Sequence, residues 1–199
     1  MQNDIRALLP ARRGHFRLES GHHGDLWLDL ELLFLRPTRM QPFANALAER
    51  LSADAVEVVC GPLVEGAFVA QLVAAALELP FVYTVPTADR QREGLYPLDY
   101  RLPSALRGVV RGKGVAIVND VINAGSAVRA TYRDLLACEA RPLAIGALAV
   151  LGGWAPQFAA EQGLRLKTLA SLPNEVWAPP DCPLCTSGAP LDNPGEPAH

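Results

Sequence analysis

The stretch that decides the fold reads Gly114-Val115-Ala116-Ile117-Val118-Asn119-Asp120-Val121-Ile122-Asn123-Ala124-Gly125-Ser126-Ala127. It opens with a short and mostly β-branched apolar run, Val115–Val118, which is typical of a buried strand. Two polar residues, Asn119 and Asp120, follow that run, and a loop of small residues occupies 123–126. From Val128 onward apolar residues recur about every three to four positions, which predicts a helix. The stretch therefore predicts a strand, an acid, a small-residue loop and a helix in that order.

The loop of this unit is suited to binding an anion. Small residues expose backbone N–H groups, the N-terminus of the helix carries partial positive charge, and Ser126 adds a hydroxyl donor. Asp120 lies just ahead of the loop, where a carboxylate can hold a sugar hydroxyl or a metal ion bound to phosphates. The pattern therefore favours a phosphorylated sugar as the ligand.

The same residues resemble the phosphoribosyl pyrophosphate (PRPP) signature of the type I phosphoribosyltransferases. That signature has four apolar residues, two acids and two more apolar residues before a turn rich in Thr, Gly and Ser. The chain departs from it at two positions, with Asn119 in place of the first acid and Asn123 in place of the first Thr. An ordinary βα turn is the alternative interpretation. The resemblance assigns PRPP binding to Asn119, Asp120, Val121, Ile122, Asn123, Ala124, Gly125, Ser126 and Ala127.

A second small-residue loop precedes this unit in the chain. Residues 56–60 predict a strand, residues 67–77 predict an apolar helix, and Gly61 and Gly66 bound the segment between them. Such a segment lets the backbone approach an anion closely. In the family this is the pyrophosphate-binding loop, although a plain βα connection is the alternative. The resemblance adds to the PRPP-binding set Gly61, Pro62, Leu63, Val64, Glu65 and Gly66.

Length and composition indicate an ordinary globular α/β protein. The chain has 199 residues, of which half are hydrophobic and a fifth are charged, and its net charge is −3. This length is enough for one sizeable domain. The charge gives no reason to expect a nucleic-acid or membrane-surface partner, and no apolar run approaches the ~20 residues of a membrane span. Without a signal-peptide pattern at the N-terminus, we expect a cytoplasmic protein.

The N-terminal segment predicts a β-hairpin that turns between Ser20 and Gly24. Its sequence, from Gly14 onward, is similar to the hood of the orotate branch of the family, which begins Gly-x-Phe-x-Leu-x-Ser-Gly. This places a hood at about 1–36 within a phosphoribosyltransferase-like domain of 1–172. The branch carries a Lys in the hood turn, where this chain has His23. The resemblance assigns base binding to His23 and Phe34, while a solvated turn is the alternative for the histidine.

The segment between Pro86 and Pro103 corresponds to the long flexible catalytic loop of the family. That loop carries lysines, but this chain has none between Pro86 and Gly112. Arg90, Arg92 and Arg101 could bind a pyrophosphate, since guanidinium groups suit phosphate oxygens, and Arg90 and Arg92 are taken as the loop cations. An Arg does not readily donate a proton, so the loop would act by charge alone. A solvated surface loop is the alternative.

The apolar strand predicted over 143–150 ends without the Arg that pairs with the orotate carboxylate in the orotate branch. Leu151-Gly152-Gly153-Trp154 follows instead. A carboxylate that loses its water in a pocket needs a cationic partner. The substitution therefore leaves the family assignment standing but puts orotate itself in question. Trp154 is a candidate for stacking on a flat base, or for packing.

The tail over 173–199 is rich in Pro and polar residues and predicts an extended appendage. It contains Cys182-Pro183-Leu184-Cys185, which is half of a zinc site. Cys182 and Cys185 are therefore possible zinc ligands. The sequence shows no second ligand pair, and His199 or a partner's tail are the remaining candidates.

Alternating strands and helices with both anion loops at strand ends predict a doubly wound α/β fold. We expect a parallel sheet of about five strands flanked by helices, with a small N-terminal hood. The resemblance implies an Mg²⁺-dependent phosphoribosyltransferase that joins PRPP to a nitrogenous base, orotate-like, and that forms a homodimer. Asp120 and Asn119 would hold the ribose hydroxyls. Asp120 would also hold Mg²⁺ through PRPP. Arg90 and Arg92 would be further catalytic residues. A different base, or a non-catalytic PRPP or nucleotide sensor, are the alternatives.

Overall fold

The computed structural model describes residues 5–88, 95 and 98–194. Its strands are β1 (Ala11–Arg17), β2 (His23–Leu28), β3 (Val58–Pro62), β4 (Phe81–Ala88), β5 (Leu98–Arg101), β6 (Gly114–Ile122), β7 (Arg141–Leu151), β8 (Arg165–Leu172) and β9 (Val176–Trp177). Its α-helices are α1 (Pro37–Leu51), α2 (Glu65–Leu77), α3 (Arg107–Val110), α4 (Ser126–Ala137), α5 (Trp154–Gln162) and α6 (Pro183–Thr186). In these ranges no helix is long and apolar enough to cross a bilayer.

A six-stranded sheet forms the centre of the protein, in the order β5-β4-β3-β6-β7-β8. Five of these strands run parallel to one another, namely β4, β3, β6, β7 and β8. This confirms the predicted parallel sheet of about five strands. All nine residues of β6 are buried, because helices cover both faces of the strand. Helices α1 and α2 pack on one face, and α4 and α5 pack on the other.

The edge of the sheet differs from the prediction. Strand β4 continues to Ala88, and Leu98–Arg101 forms β5, which pairs antiparallel with β4. The family resemblance instead implied one long loop over the whole of 86–103. A four-residue strand shows little periodicity of its own, and its pairing with the edge of β4 supplies the missing backbone hydrogen bonds. Helix α1 follows Arg36 as its N-cap residue and has Pro37 in its first turn, where the fixed φ of proline suits a helix.

A second, three-stranded sheet forms the hood, in the order β1-β2-β9. Strands β1 and β2 make the predicted hairpin. The tail, predicted as an extended appendage, instead folds back on this hairpin. Strand β9 pairs with β2, and the backbone of Asp192 bonds to His15 and Arg17. Composition alone could not predict this, because the pairing joins residues from opposite ends of the chain.

Candidate active site

A cavity of about 300 Å³ lies where β3 and β6 end, beneath the tip of the hood hairpin. Parallel strands present their carboxyl ends at one edge of the sheet, which brings the two predicted anion loops together. The residues that line it are Leu18, Glu19, Ser20, Leu26, Trp27, Leu28, Leu30, Glu31, Val64, Glu65, Gly66, Tyr100, Asn119, Asp120, Val121, Ile122, Asn123, Ala124, Gly125, Ser126, Ala127, Val128 and Leu151. All nine residues of the predicted PRPP signature are among them.

Asp120 is a buried carboxyl group at the end of β6 and is 5% exposed. Burial raises its pKa to about 7, and the carboxylates of Glu65 and Glu31 add to that rise. Hydrogen bonds from the backbone act in the opposite direction. Removing this group from water disfavours its charged form, so a cation at the site would stabilise the carboxylate. Asp120 is thus poised to become fully ionised when a positively charged ligand arrives.

Asn119 connects the two anion loops. Its Nδ2 donates a hydrogen bond to the Val121 carbonyl oxygen at 2.9 Å. Its Oδ1 lies against Gly66, where an added Cβ would stand 2.0 Å from that oxygen. A carboxylate in this place would turn an oxygen towards the Val121 carbonyl and could not donate. The amide therefore makes a hydrogen bond that the acid of the family signature could not make in this place.

The loop over 123–127, called the phosphate loop because the family resemblance assigns PRPP binding to it, turns at Gly125, which has a φ of 74° and precedes the first residue of α4. The ring of Trp154 packs directly on this glycine, since an added Cβ would lie 1.9 Å from Trp154 Cζ3. Trp154 also stacks on Phe158, with 4.7 Å between the ring centroids. Of its two predicted roles, Trp154 therefore has the packing one. It closes the back of the loop and is not part of the cavity lining.

Asn123, the residue in place of the first signature Thr, is held from outside the loop. Its Oδ1 accepts a hydrogen bond from Asn174 Nδ2 at 2.8 Å. Asn174 follows β8, so the start of the phosphate loop is anchored to the segment that leads into the tail.

The second loop contributes only its last three residues to the cavity wall, Val64–Gly66. The peptide bond between Leu63 and Val64 is cis. Gly61 serves packing, because an added Cβ would lie 2.5 Å from Ala70 Cβ on α2. Pro62 and Leu63 connect the end of β3 to this wall. Half of the segment assigned to PRPP therefore supports the loop from behind.

Glu19 and Tyr100 also line the cavity, and the sequence analysis did not single them out. Ser126 Oγ donates to Glu19 Oε1 at 2.9 Å, and the Tyr100 hydroxyl donates to the same carboxylate at 3.2 Å. Burial and the neighbouring Glu19 raise the pKa of Tyr100, so its hydroxyl keeps its proton. The hydroxyl of Ser126 in the phosphate loop is thus already hydrogen-bonded to a carboxylate. Glu19 belongs to the hood motif, but only the fold brings it to Ser126.

Neither base-binding residue expected from the resemblance lines the cavity. His23 is buried on the far side of the hood hairpin, where its ring meets His15 and Cys185. Phe34 packs against Phe68, with 5.5 Å between the ring centroids. The hood motif predicted the hairpin correctly, but strand alternation turns the His23 side chain away from the cavity.

The charge of the cavity wall is negative. Its titratable acids are Glu19, Glu31, Glu65 and Asp120, and none of the residues that line it in the described ranges is Lys or Arg. The two arginines predicted to bind pyrophosphate, Arg90 and Arg92, lie outside the described residues. Among the described residues, the cavity wall has the hydroxyl groups of Ser20, Tyr100 and Ser126 but no Lys or Arg side chain.

Comparisons with known proteins bear on this site. No family model matches the chain. Curated orotate phosphoribosyltransferases from Pelotomaculum thermopropionicum and Thermotoga maritima are 32% and 30% identical to it, each over 92% of this chain. The matches cover 88% and 90% of those relatives. The chain belongs to the orotate phosphoribosyltransferase family.

Solved structures agree on the fold of this orotate phosphoribosyltransferase family member. An orotate phosphoribosyltransferase from Aeropyrum pernix matches with a TM-score of 0.64 and 22% identity, covering 84% of this chain and 90% of the other. An adenine phosphoribosyltransferase from Rhodothermus marinus matches with a TM-score of 0.59 and 19% identity, covering 73% and 86%. The type I phosphoribosyltransferase fold expected from the signature is therefore confirmed.

Proposed function

We propose that this protein is a pentosyltransferase that transfers the phosphoribosyl group of PRPP to a ring nitrogen of a base. One observation carries the proposal: Asp120 stands buried between two anion loops that line the same cavity. In the reaction the bond between base nitrogen and C1 of the ribose forms while the bond between C1 and the pyrophosphate oxygen breaks. The products are a nucleotide and pyrophosphate.

The phosphates of PRPP would bind to the two loops. The loop over 123–127, with the hydroxyl of Ser126 and the N-terminus of α4, would hold the 5′-phosphate. Val64–Gly66 would face the pyrophosphate, and Arg90 and Arg92 would supply charge to it from the catalytic loop. Binding to backbone N–H groups keeps these contacts short and fixes the position of C1.

Asp120 would stabilise positive charge on the ribose. The transition state of this displacement resembles an oxocarbenium ion, and a carboxylate close to the ribose lowers its energy. Asn119 would hold a ribose hydroxyl beside it, and it also keeps the two loops in register. Because the reaction needs positioning and charge more than a nucleophile on the protein, this small set of groups suffices.

The donor set of the cavity fits Mg²⁺. Mg²⁺ prefers oxygen ligands and is commonly held by one or two carboxylates together with substrate phosphates. Asp120 and Glu65 provide such carboxylates on the wall where PRPP would lie, and the raised pKa of Asp120 marks a carboxyl without a cationic partner. When bound with PRPP, Mg²⁺ would neutralise phosphate charge and favour the leaving of pyrophosphate.

Two candidates remain for the base, which are orotate and a neutral base. Family membership favours orotate, whereas the wall of the described cavity is acidic and has no cation to pair with the orotate carboxylate. That wall favours a neutral base, for which Trp27, Leu28 and Leu151 provide flat and apolar surface. Orotate would need Arg90 or Arg92 to reach its carboxylate.

A panel of bases distinguishes these candidates. Pyrophosphate release is to be measured with PRPP and Mg²⁺ and, in separate reactions, orotate, uracil, adenine and hypoxanthine. We expect release with one base only. If orotate is that base, the double substitution of Arg90 and Arg92 by Gln should raise the KM for orotate. Release with a neutral base but not orotate would establish the second candidate.

The same assay separates an enzyme from a sensor. A sensor would bind Mg²⁺-PRPP in calorimetric titration but release no pyrophosphate with any base of the panel. That result would contradict the proposed transfer reaction and leave PRPP binding in place. Absence of PRPP binding would contradict both.

Glu19 is expected to weaken phosphate binding in the free protein. Its carboxylate accepts the hydrogen bond of Ser126 Oγ, so an arriving phosphate must displace it and then lie close to a like charge. We predict that Glu19→Gln tightens the binding of inorganic phosphate about three- to tenfold, since close like charges near a protein surface repel by one to a few kcal/mol. Isothermal titration measures the change.

Glu31→Gln is the matched control for this prediction. It removes the same charge from the same cavity wall. The hydrogen bond of Ser126 to Glu19 stays in place. Equal tightening in both variants would mean that only the total charge of the cavity matters.

The family resemblance also supports a homodimer and a cytoplasmic location. The assembly is tested by light scattering on the full-length protein with and without PRPP. A monomer in both conditions would contradict it.

A further inference from the structure

The hood contains a cluster of four side chains that the transfer reaction does not use. His15 and His23 come from β1 and β2, and Cys182 and Cys185 come from the tail at the start of α6. We call them the hood cluster. Each offers one ligand atom, and the four atoms all lie within 4.8 Å of one another. We propose that the hood cluster is a structural Zn²⁺ site.

Four of the six distances between the ligand atoms are close to those of a tetrahedral zinc site. Usual Zn–N and Zn–S bond lengths place two nitrogens ~3.3 Å apart and a nitrogen and a sulfur ~3.6 Å apart. In the hood cluster His15 Nε2 is 3.1 Å from His23 Nδ1. Cys182 Sγ and Cys185 Sγ lie 3.5 and 3.8 Å from His15 Nε2. Cys185 Sγ is 3.2 Å from His23 Nδ1.

The hydrogen bond of His15 Nδ1 places the lone pair on His15 Nε2, where it can bind a metal ion. His15 Nδ1 lies 2.9 Å from the carbonyl oxygen of Ala189, which can only accept, so Nδ1 carries the proton. The lone pair is then on Nε2, the atom that faces the other three ligands. A histidine that ligates a metal usually donates its other N–H to a carbonyl or carboxylate in this way.

Hydrogen bonding alone accounts poorly for the cluster. His23 and both thiols converge on the one lone pair of His15 Nε2, which a single ordinary hydrogen bond would satisfy. A metal ion at their centre would satisfy all four ligand atoms at once. Two sulfur and two nitrogen ligands in a tetrahedron favour Zn²⁺. Mg²⁺, Ca²⁺ and Mn²⁺ prefer oxygen ligands instead.

Four protein ligands make the proposed site a structural one. A catalytic zinc keeps a position open for water or substrate, whereas a structural zinc has its four positions filled by side chains. His15, His23 and Cys182 are 5%, 6% and 1% exposed, and Cys185 closes the site on its exposed side. None of the four lines the cavity.

The proposed zinc would fasten the tail to the hood. The strand pairing between them is short, since β9 has only two residues and matches His23 and Gly24 of β2. A zinc joining residues 15 and 23 to residues 182 and 185 would close the chain over most of its length. It would also hold the strand residues next to the hairpin turn, which carries Glu19 and Ser20 to the cavity.

Metal analysis of the full-length protein tests the site directly. The protein should be prepared without a histidine tag, reduced, supplied with Zn²⁺ and then dialysed. We expect about one zinc ion per chain by mass spectrometry of the metal. Replacement by Co²⁺ should give the visible bands of a tetrahedral ion and a thiolate-to-cobalt charge-transfer band. Neither readout depends on PRPP or on turnover.

Two matched pairs of variants locate the ion. His23→Ala should lose the zinc, while His22→Ala at the adjacent residue should keep it. Cys185→Ser should lose the zinc. Cys138→Ser, which replaces the cysteine directly after α4, should keep it. If the variants fail to fold, the cobalt spectrum and a lower Tm of the chelated wild type remain as evidence.

The proposal fails if the reduced wild-type protein retains no zinc after dialysis. It also fails if a folded His23→Ala protein retains as much zinc as the wild type. A protein purified with a Cys182–Cys185 disulfide supports the proposal only when reduction restores stoichiometric binding.

Discussion

Asp120→Asn is expected to reduce pyrophosphate release by a factor of about 10²–10³, because it removes the charge that would stabilise the ribose in the transition state. The substitution keeps the size of the side chain and an oxygen that can accept the backbone hydrogen bonds. Binding of inorganic phosphate at the loop over 123–127 should change little, since those donors are untouched. The effect should therefore appear mainly in kcat.

The same substitution should stabilise the free protein, and this gain should grow as the pH rises from about 4 to about 7. Asp120 has a pKa of about 7 in the folded chain against an ordinary value of 3.8. Between these values the unfolded chain loses the proton that the folded chain keeps, so the Asp120 contribution lowers the free energy of unfolding as pH rises. The loss is complete above about pH 7 and is of the order of a few kcal/mol.

Urea unfolding at pH 5 and pH 8 measures this contribution. We expect Asp120→Asn to be more stable than the wild type at pH 8, with a smaller difference at pH 5. Glu65→Gln is the companion variant, because removing a neighbouring carboxylate should lower the pKa of Asp120 and so make the gain from Asp120→Asn at pH 8 smaller. An equal gain at both pH values would show that Asp120 does not titrate in this range.

Gly125→Ala is expected to damage both stability and phosphate binding. Gly125 has a φ of 74°, which costs a residue with a Cβ about 1–2 kcal/mol. The new Cβ would also lie 1.9 Å from the Trp154 ring, so the ring must leave its stacked position on Phe158. Overpacking of this kind costs a further ~1–3 kcal/mol. For a chain of this size the sum lowers Tm by roughly 5–15 °C.

Two other glycines separate the two causes. Gly112 has a φ of 69° with nothing within 4 Å of an added Cβ, so Gly112→Ala should show the cost of the backbone alone. Gly153 has open space and a negative φ, so Gly153→Ala should be nearly neutral. Thermal unfolding and phosphate titration of the three variants test the order. If Gly125→Ala lost no more than Gly112→Ala, the contact with Trp154 would not matter.

The anion loops were predictable because their signals are local. The strand, the acid and the small-residue turn of 114–127 follow one another directly, and each has its own pattern. The fold class followed from the same patterns, since alternating strands and helices have few stable arrangements. The sequence also contained the reason for doubt about orotate, in the missing Arg after the strand that became β7.

The residues around these loops were not predictable in the same way. Strand β5 and the roles of Glu19 and Tyr100 depend on contacts between segments that share no local pattern. His23 shows the opposite error: the hood motif was recognised, but the direction of one side chain in a strand was not. A shift of one residue in strand register reverses that direction.

The sequence by itself determined the βα units, the two anion loops and the family, because short-range patterns of apolar, acidic and small residues specify them. Only the tertiary structure decided that Glu19 meets Ser126 across 107 residues, and that His15 and His23 meet the tail cysteines 162 to 170 residues away. Contacts at such separations form when packed layers bring distant segments together. No local pattern encodes them, so the hood cluster and the occupied phosphate loop became visible only in the folded chain.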